Sequence, residues 1–177
     1  MREQPTYQSL GDHTECFQVD YDPAQTTFEE LLKVFWADHD PTSSAWSRQY
    51  KAILFFHDEA QKKAALASRD RLAKELGTAI TTEVRPALTF WRAEDYHQKY
   101  ALRGHALLAQ ELRAKHASEQ AFVDDPLVTR VNGWLEGSGD LAVLERDVGT
   151  FGLSEAARKD LLATARAHVG SGPGCPK

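Results

Sequence analysis

The spacing of apolar residues changes period repeatedly along the first half of this chain, and that switching restricts the possible folds more than any single residue does. Cys16, Phe17, Gln18, Val19, Asp20 and Tyr21 mix apolar and polar positions in short alternation before Asp22-Pro23, which predicts a strand over Glu15–Tyr21. Thr26 and Glu29 then have capping-box spacing, and Phe28, Leu31, Leu32 and Phe35 recur as on one helix face; this helix should stop near Asp38, ahead of Asp40-Pro41. A second strand is predicted over Lys51–Phe56. A long polar-faced helix follows from Asp58-Glu59 to Gly77, and a third strand over Thr81–Val84 precedes Pro86. Strand, helix, strand, helix, strand predicts an α+β fold: a split βαβ, ferredoxin-like sheet layer covered by helices.

Beyond Gly104 only helical patterns remain. They are predicted over Ala106–Ala117, Leu127–Leu135, Asp140–Val148 and Ser154–Val169, punctuated by Gly137, Gly139, Gly149, Gly152 and Gly170. Trp134, Leu144, Phe151, Leu161 and their apolar neighbours supply enough surface for a small helical extension. The expected division is an α/β core over 4–103, an all-helical extension over 104–170, and a Gly/Pro/Ser-rich mobile tail over 171–177.

A chain of 177 residues can bury roughly 70% of the surface its unfolded form exposes, so a core needs no metal or disulfide staple. The balance of 21 Lys+Arg against 26 Asp+Glu argues against a phosphate-backbone footprint, and nucleic acid is not an expected partner. The longest apolar run, Ala52–Phe56, has strand length, so no membrane span is expected. The polar residues after Met1 contain no apolar export segment, which predicts a cytoplasmic protein with Cys16 and Cys175 as free thiols.

The residues able to carry chemistry form one modest cluster: Tyr7, His13, Glu15, Tyr50, and the run from Ala93 to Tyr100 that contains Asp95 and His97. Individually each has an ordinary structural use, as a solvated carboxylate, a capping histidine or an amphipathic phenol. No phosphate loop, nucleophile elbow, His-Glu-x-x-His or paired Cys-x-x-Cys occurs, and the scattered histidines and distant cysteines lack metal-ligand spacing. No metal and no cofactor is expected.

Taken together the segments are more specific. Asp12-His13-Thr14-Glu15, Tyr21-Asp22-Pro23, Phe28 to Trp36, His39-Asp40-Pro41-Thr42, Arg48 to Ile53 and Ala93 to Tyr100 resemble, in order, the peptide methionine sulfoxide reductase A family, over about 4–102. Reducing a sulfoxide by thiol attack needs a thiolate, a proton donor, hydrogen-bond donors for the oxygen and an aromatic wall for the S-methyl group. The resemblance implies Glu15 as proton donor, kept partly protonated by burial, and Tyr7 and Tyr50 as the phenols that orient the sulfoxide oxygen. His13, Asp95 and His97 would support the site, His97 by bonding a nearby carboxylate or carbonyl. The implied partners are methionine sulfoxide or a similar small polar group and, if the chain is catalytic, thioredoxin.

The departures from the family pattern are equally specific. The family's nucleophile sits in a Gly-Cys-Phe-Trp segment that lies upstream of the sequence matched here, and this chain contains no such motif. The loop that carries an active-site Asp in the family is shortened to Thr42–Arg48 and has none. Cys16, next to Glu15 on a strand, should point to the opposite face as a small buried apolar residue. Cys175 resembles the mobile resolving cysteines of some members and is the one candidate thiol. The expectation is therefore a weak or inactive reductase as this chain alone, with a non-catalytic protein that keeps the sulfoxide pocket as the alternative. The missing half-sheet would leave an apolar face open, to be covered by the helices, by an upstream segment or by a second copy in a homo-oligomer.

Overall fold

The computed structural model describes residues 14–44, 47 and 49–169. Their chain divides into two compact units, Met1–Arg92 and Ala93–Lys177.

In the first unit, helix α1 (Phe28–Ala37) starts at Thr27, whose hydroxyl accepts from the Glu30 amide while the Glu30 carboxylate accepts from the Thr27 amide. The capping box is thus one residue later than Thr26 and Glu29. Strand β1 (Ile53–Phe56) leads into α2 (Glu59–Leu76), which is capped by the Asp58 side chain at one end and by Gly77 at φ 65° at the other. That left-handed turn costs a glycine little and a β-carbon much more. Strand β2 (Glu83–Pro86) pairs with β1 in parallel, Ile53 opposite Glu83 and Phe56 opposite Pro86. Parallel neighbours require a crossover, and α2 supplies it, so β1, α2 and β2 form one βαβ unit.

The first predicted strand, Glu15–Tyr21, is not formed. Residues 14–22 have no regular structure, and the segment is fastened to its neighbour by Glu15 N–H donating to Gln49 O at 3.1 Å. A strand exists through a repeated ladder, which one backbone bond does not make. All four β1 residues are half-buried, as expected of a sheet with only two strands among the described residues.

Polar contacts hold α1 to its neighbours. Trp36 Nε1 donates to Ser68 Oγ at 2.9 Å, and that buried hydroxyl donates onward to Ala65 O at 2.8 Å. Lys51, just before β1, and Arg85, within β2, both pair with Glu83 of β2; the Lys51 hydrogen bond first, then the Arg85 charge, keeps this carboxyl below its ordinary range.

The second unit is helical throughout: α3 (Tyr100–Arg103), α4 (Ala106–Arg113), α5 (Glu119–Asp124), α6 (Pro126–Leu135), α7 (Leu141–Asp147) and α8 (Glu155–Val169). Most of the buried apolar side chains belong here, Leu102, Leu108, Phe122, Val128, Leu144 and Leu161 among them. The expected helix over Ala106–Ala117 stops at Arg113. Lys115 then reaches the carbonyls of Phe151 and Gly152, and His116 turns back to the Leu112 carbonyl at 2.8 Å.

His116 sets a pH dependence. Its Nε2 lies 3.0 Å from Asp125, the N-cap of α6, and this bond, followed by that to Leu112 O, raises the imidazole above its ordinary value. A raised folded value means that folding favours the protonated ring, so the contribution is complete below about pH 6.5 and is lost as pH rises through the folded value. The melting temperature of wild type is therefore expected to exceed that of His116→Gln at pH 6, and the gap to close by pH 9 in paired thermal melts.

Candidate functional site

Two stretches of the first unit that carry family-like motifs meet at Glu15 and Gln49. Besides the backbone bond, Gln49 Nε2 donates to Glu15 Oε1 at 2.6 Å. Tyr50 follows immediately, 48% exposed, so the carboxyl and the phenol that the resemblance singles out stand on adjoining segments. Gln49 is not among the residues that the sequence singles out. Its signal was available in the Gln49-Tyr50 dipeptide, but the reason for the amide appears only once residue 15 is seen to lie against it.

Glu15 is exposed rather than buried. Cys16 is likewise exposed, not a buried apolar filler; without a pleated strand, alternation of faces no longer directs its side chain. Partial desolvation of its sulfur raises the thiol above its ordinary value and so disfavours the thiolate that a nucleophile needs. Tyr7, His13 and Cys175 lie outside the described residues, so the expected meeting of Tyr7 with Glu15 and Tyr50 falls outside them too.

Asp95 and His97 belong to the second unit, in a single 3-10 turn, Asp95–His97. His97 Nε2 is 4.0 Å from the Glu94 carboxylate, and its ring lies 4.2 Å from that of Tyr96. Lys99 next to them adopts φ 54°, a left-handed conformation rare for a residue with a β-carbon. Its ammonium donates to Thr129 Oγ1 at 2.6 Å, and burial lowers its pKa against the pull of Asp124 and Asp125.

The His39-Asp40-Pro41-Thr42 motif builds structure. His39 Nδ1 lies 2.8 Å from the Phe35 carbonyl and therefore carries hydrogen; Nε2 lies 2.9 Å from the hydroxyl of Thr82, which is 3% exposed. Asp40 accepts from the Thr42 amide and hydroxyl, and the buried Pro41 accepts from the Thr81 amide at 2.8 Å. His39→Ala would leave the Thr82 hydroxyl without its ring partner, and chemical denaturation is expected to show a loss of about 1–3 kcal/mol.

Among the described residues no group of three or more His, Cys, Asp and Glu side chains could hold a metal ion. An open groove of about 270 Å³ lies in the helical unit beside Arg130, Trp134, Ser138 and Asp140, with Arg130 stacked over the Trp134 ring; none of the motif residues lines it. No helix among the described residues is long and apolar enough to cross a membrane.

Comparison with known proteins places this chain in a family. A family model described as peptide methionine sulfoxide reductase matches residues 1–130. A peptide methionine sulfoxide reductase of Drosophila melanogaster is 37% identical over 176 residues, which is 97% of this chain and 69% of that protein. The enzyme MsrA of Acidobacterium capsulatum is 41% identical over 107 residues, 54% of this chain and 69% of its own length. A relative from Lactuca sativa is 38% identical over 109 residues, 56% of this chain and 42% of its own. The likeness therefore runs past 4–102 into the helices, which do have a counterpart in the Drosophila protein. On the extent of the family match and the identity to the Drosophila protein, the chain belongs to the peptide methionine sulfoxide reductase family.

Proposed function

We propose that this chain acts in the reduction of methionine (S)-sulfoxide in proteins, contributing the proton donor and the groups that hold the oxygen. In this reading Glu15 protonates the sulfoxide oxygen, Tyr7 and Tyr50 hold it, and the attacking thiolate comes from a cysteine other than Cys16 and Cys175. His13, Asp95 and His97 have structural roles in this reading and do not touch substrate. The single observation that carries the reading is the Glu15–Gln49 junction, which sets the family's carboxyl beside the segment bearing Tyr50.

The chemistry balances without a metal or cofactor. A thiolate sulfur attacks the sulfoxide sulfur, and as the sulfur–sulfur bond forms the sulfur–oxygen bond breaks, the oxygen leaving as water with the proton from Glu15 and one from solvent; water then attacks the cysteine sulfur, breaking the sulfur–sulfur bond to release the thioether, a proton and a cysteine sulfenic acid, the thiol sulfur losing the two electrons that the sulfoxide gains. A second thiol condenses with the sulfenic acid to a disulfide, releasing water, and cytoplasmic thioredoxin would reduce that disulfide. The raised Cys16 thiol is a poor source of thiolate, which supports low turnover by the 177-residue chain on its own.

A thioredoxin-coupled assay on free and peptide-bound methionine S-sulfoxide tests this, run with and without the N-terminal half of a family member that bears the Gly-Cys-Phe-Trp segment. Turnover is expected only when that half is supplied. Robust dithiothreitol-driven turnover by the chain alone, abolished by Cys175→Ser, would overturn it and make Cys175 the nucleophile. Sulfoxide binding with no turnover in either arm would identify a non-catalytic binding protein.

A further inference from the structure

We infer that Gln49 is a positioning residue for Glu15: its side-chain amide occupies Oε1 and leaves Oε2 as the oxygen that carries and delivers the transferable proton. The inference rests on Glu15 being the proton donor, as proposed above. Its own basis is geometric. Gln49 Nε2 donates to Oε1 at 2.6 Å, and the two residues are joined again by Glu15 N–H donating to Gln49 O at 3.1 Å. Two bonds from one residue to both the backbone and the side chain of another fix position and rotamer together.

A carboxylic acid has one hydroxyl, and an oxygen that accepts a hydrogen bond from an amide N–H is the carbonyl oxygen of the neutral form. With Oε1 so engaged, the hydroxyl of the acid form is the one at Oε2. On transfer it goes to the sulfoxide oxygen as the sulfur–oxygen bond breaks under attack by the thiolate, and Glu15 is left ionised, to be reprotonated from solvent. Glu15 is exposed, so packing does little to hold its side chain, and the Gln49 amide supplies an orienting bond.

Two measurements test this. In the 177-residue chain, side-chain NMR couplings of Glu15 are expected to report one rotamer in wild type and averaging in Gln49→Ala; averaging already in wild type would overturn the inference. In the complemented turnover assay, Gln49→Ala is expected to lower kcat about tenfold or more with KM little changed, as misplaced acids do. Added to Glu15→Gln, the same substitution should cost nothing further. An equal loss in both backgrounds would show that Gln49 does not act through Glu15 and would overturn the inference while the proton-donor reading stands. If Glu15→Gln itself leaves turnover intact, the proton-donor reading fails, whatever the couplings show.

Discussion

Truncating Phe122 to alanine is expected to destabilise the helical unit by about 3–5 kcal/mol, the range for large aromatic deletions in a packed core. Phe122 is 1% exposed, and its ring does more than fill space. The guanidinium carbons of Arg113 and Arg103 stand 4.8 and 5.8 Å from its centroid, and His116 meets it edge-on at 5.8 Å. Both arginines are held there by Glu119, whose carboxyl the Arg113 hydrogen bond, above all, keeps below its ordinary range. Removing the ring therefore leaves a cavity and frees two cations from the surface they cover. Urea unfolding measures the effect; Leu107→Ala, at a site 41% exposed, should cost far less and serves as the control.

Glu15→Gln is expected to lower turnover by about 10²–10⁴-fold in the complemented assay, the usual contribution of a positioned general acid. Glutamine keeps the size and hydrogen-bonding reach of the side chain but has no proton to give at neutral pH. Cys16→Ser should leave the same rate unchanged, since the Cys16 thiolate is disfavoured by desolvation. Steady-state rates on peptide-bound methionine S-sulfoxide decide both.

What the sequence reveals here is mostly local. Asp58 and Gly77 mark the two ends of α2 because cap and left-handed turn are properties of neighbouring residues. The start of α1 was displaced by one residue since two adjacent threonines precede two adjacent glutamates; Thr26 also reaches Glu30, but the box closes on Thr27. Short α5 gave no periodic signal in six residues, and is visible only afterwards as a Ser118 cap and a stop before Pro126. The failed strand at 15–21 has the right alternation and lacks the partner ladder, a non-local requirement that no pattern within the segment encodes. The same division holds for the site. Glu15 and Tyr50 stand out through motifs, whereas the role of Gln49 depends on which segment lies across from it.

The most direct measurement is an NMR titration of the isotopically labelled 177-residue chain with the S-sulfoxide of N-acetylmethionine methylamide, and in parallel with the corresponding thioether. If Glu15 and Tyr50 meet the sulfoxide oxygen and Gln49 orients Glu15, the side-chain resonances of all three should shift together and saturably with the sulfoxide and not with the thioether. Equal shifts with both compounds, or saturable shifts confined to residues away from this junction, would contradict a sulfoxide site at Glu15.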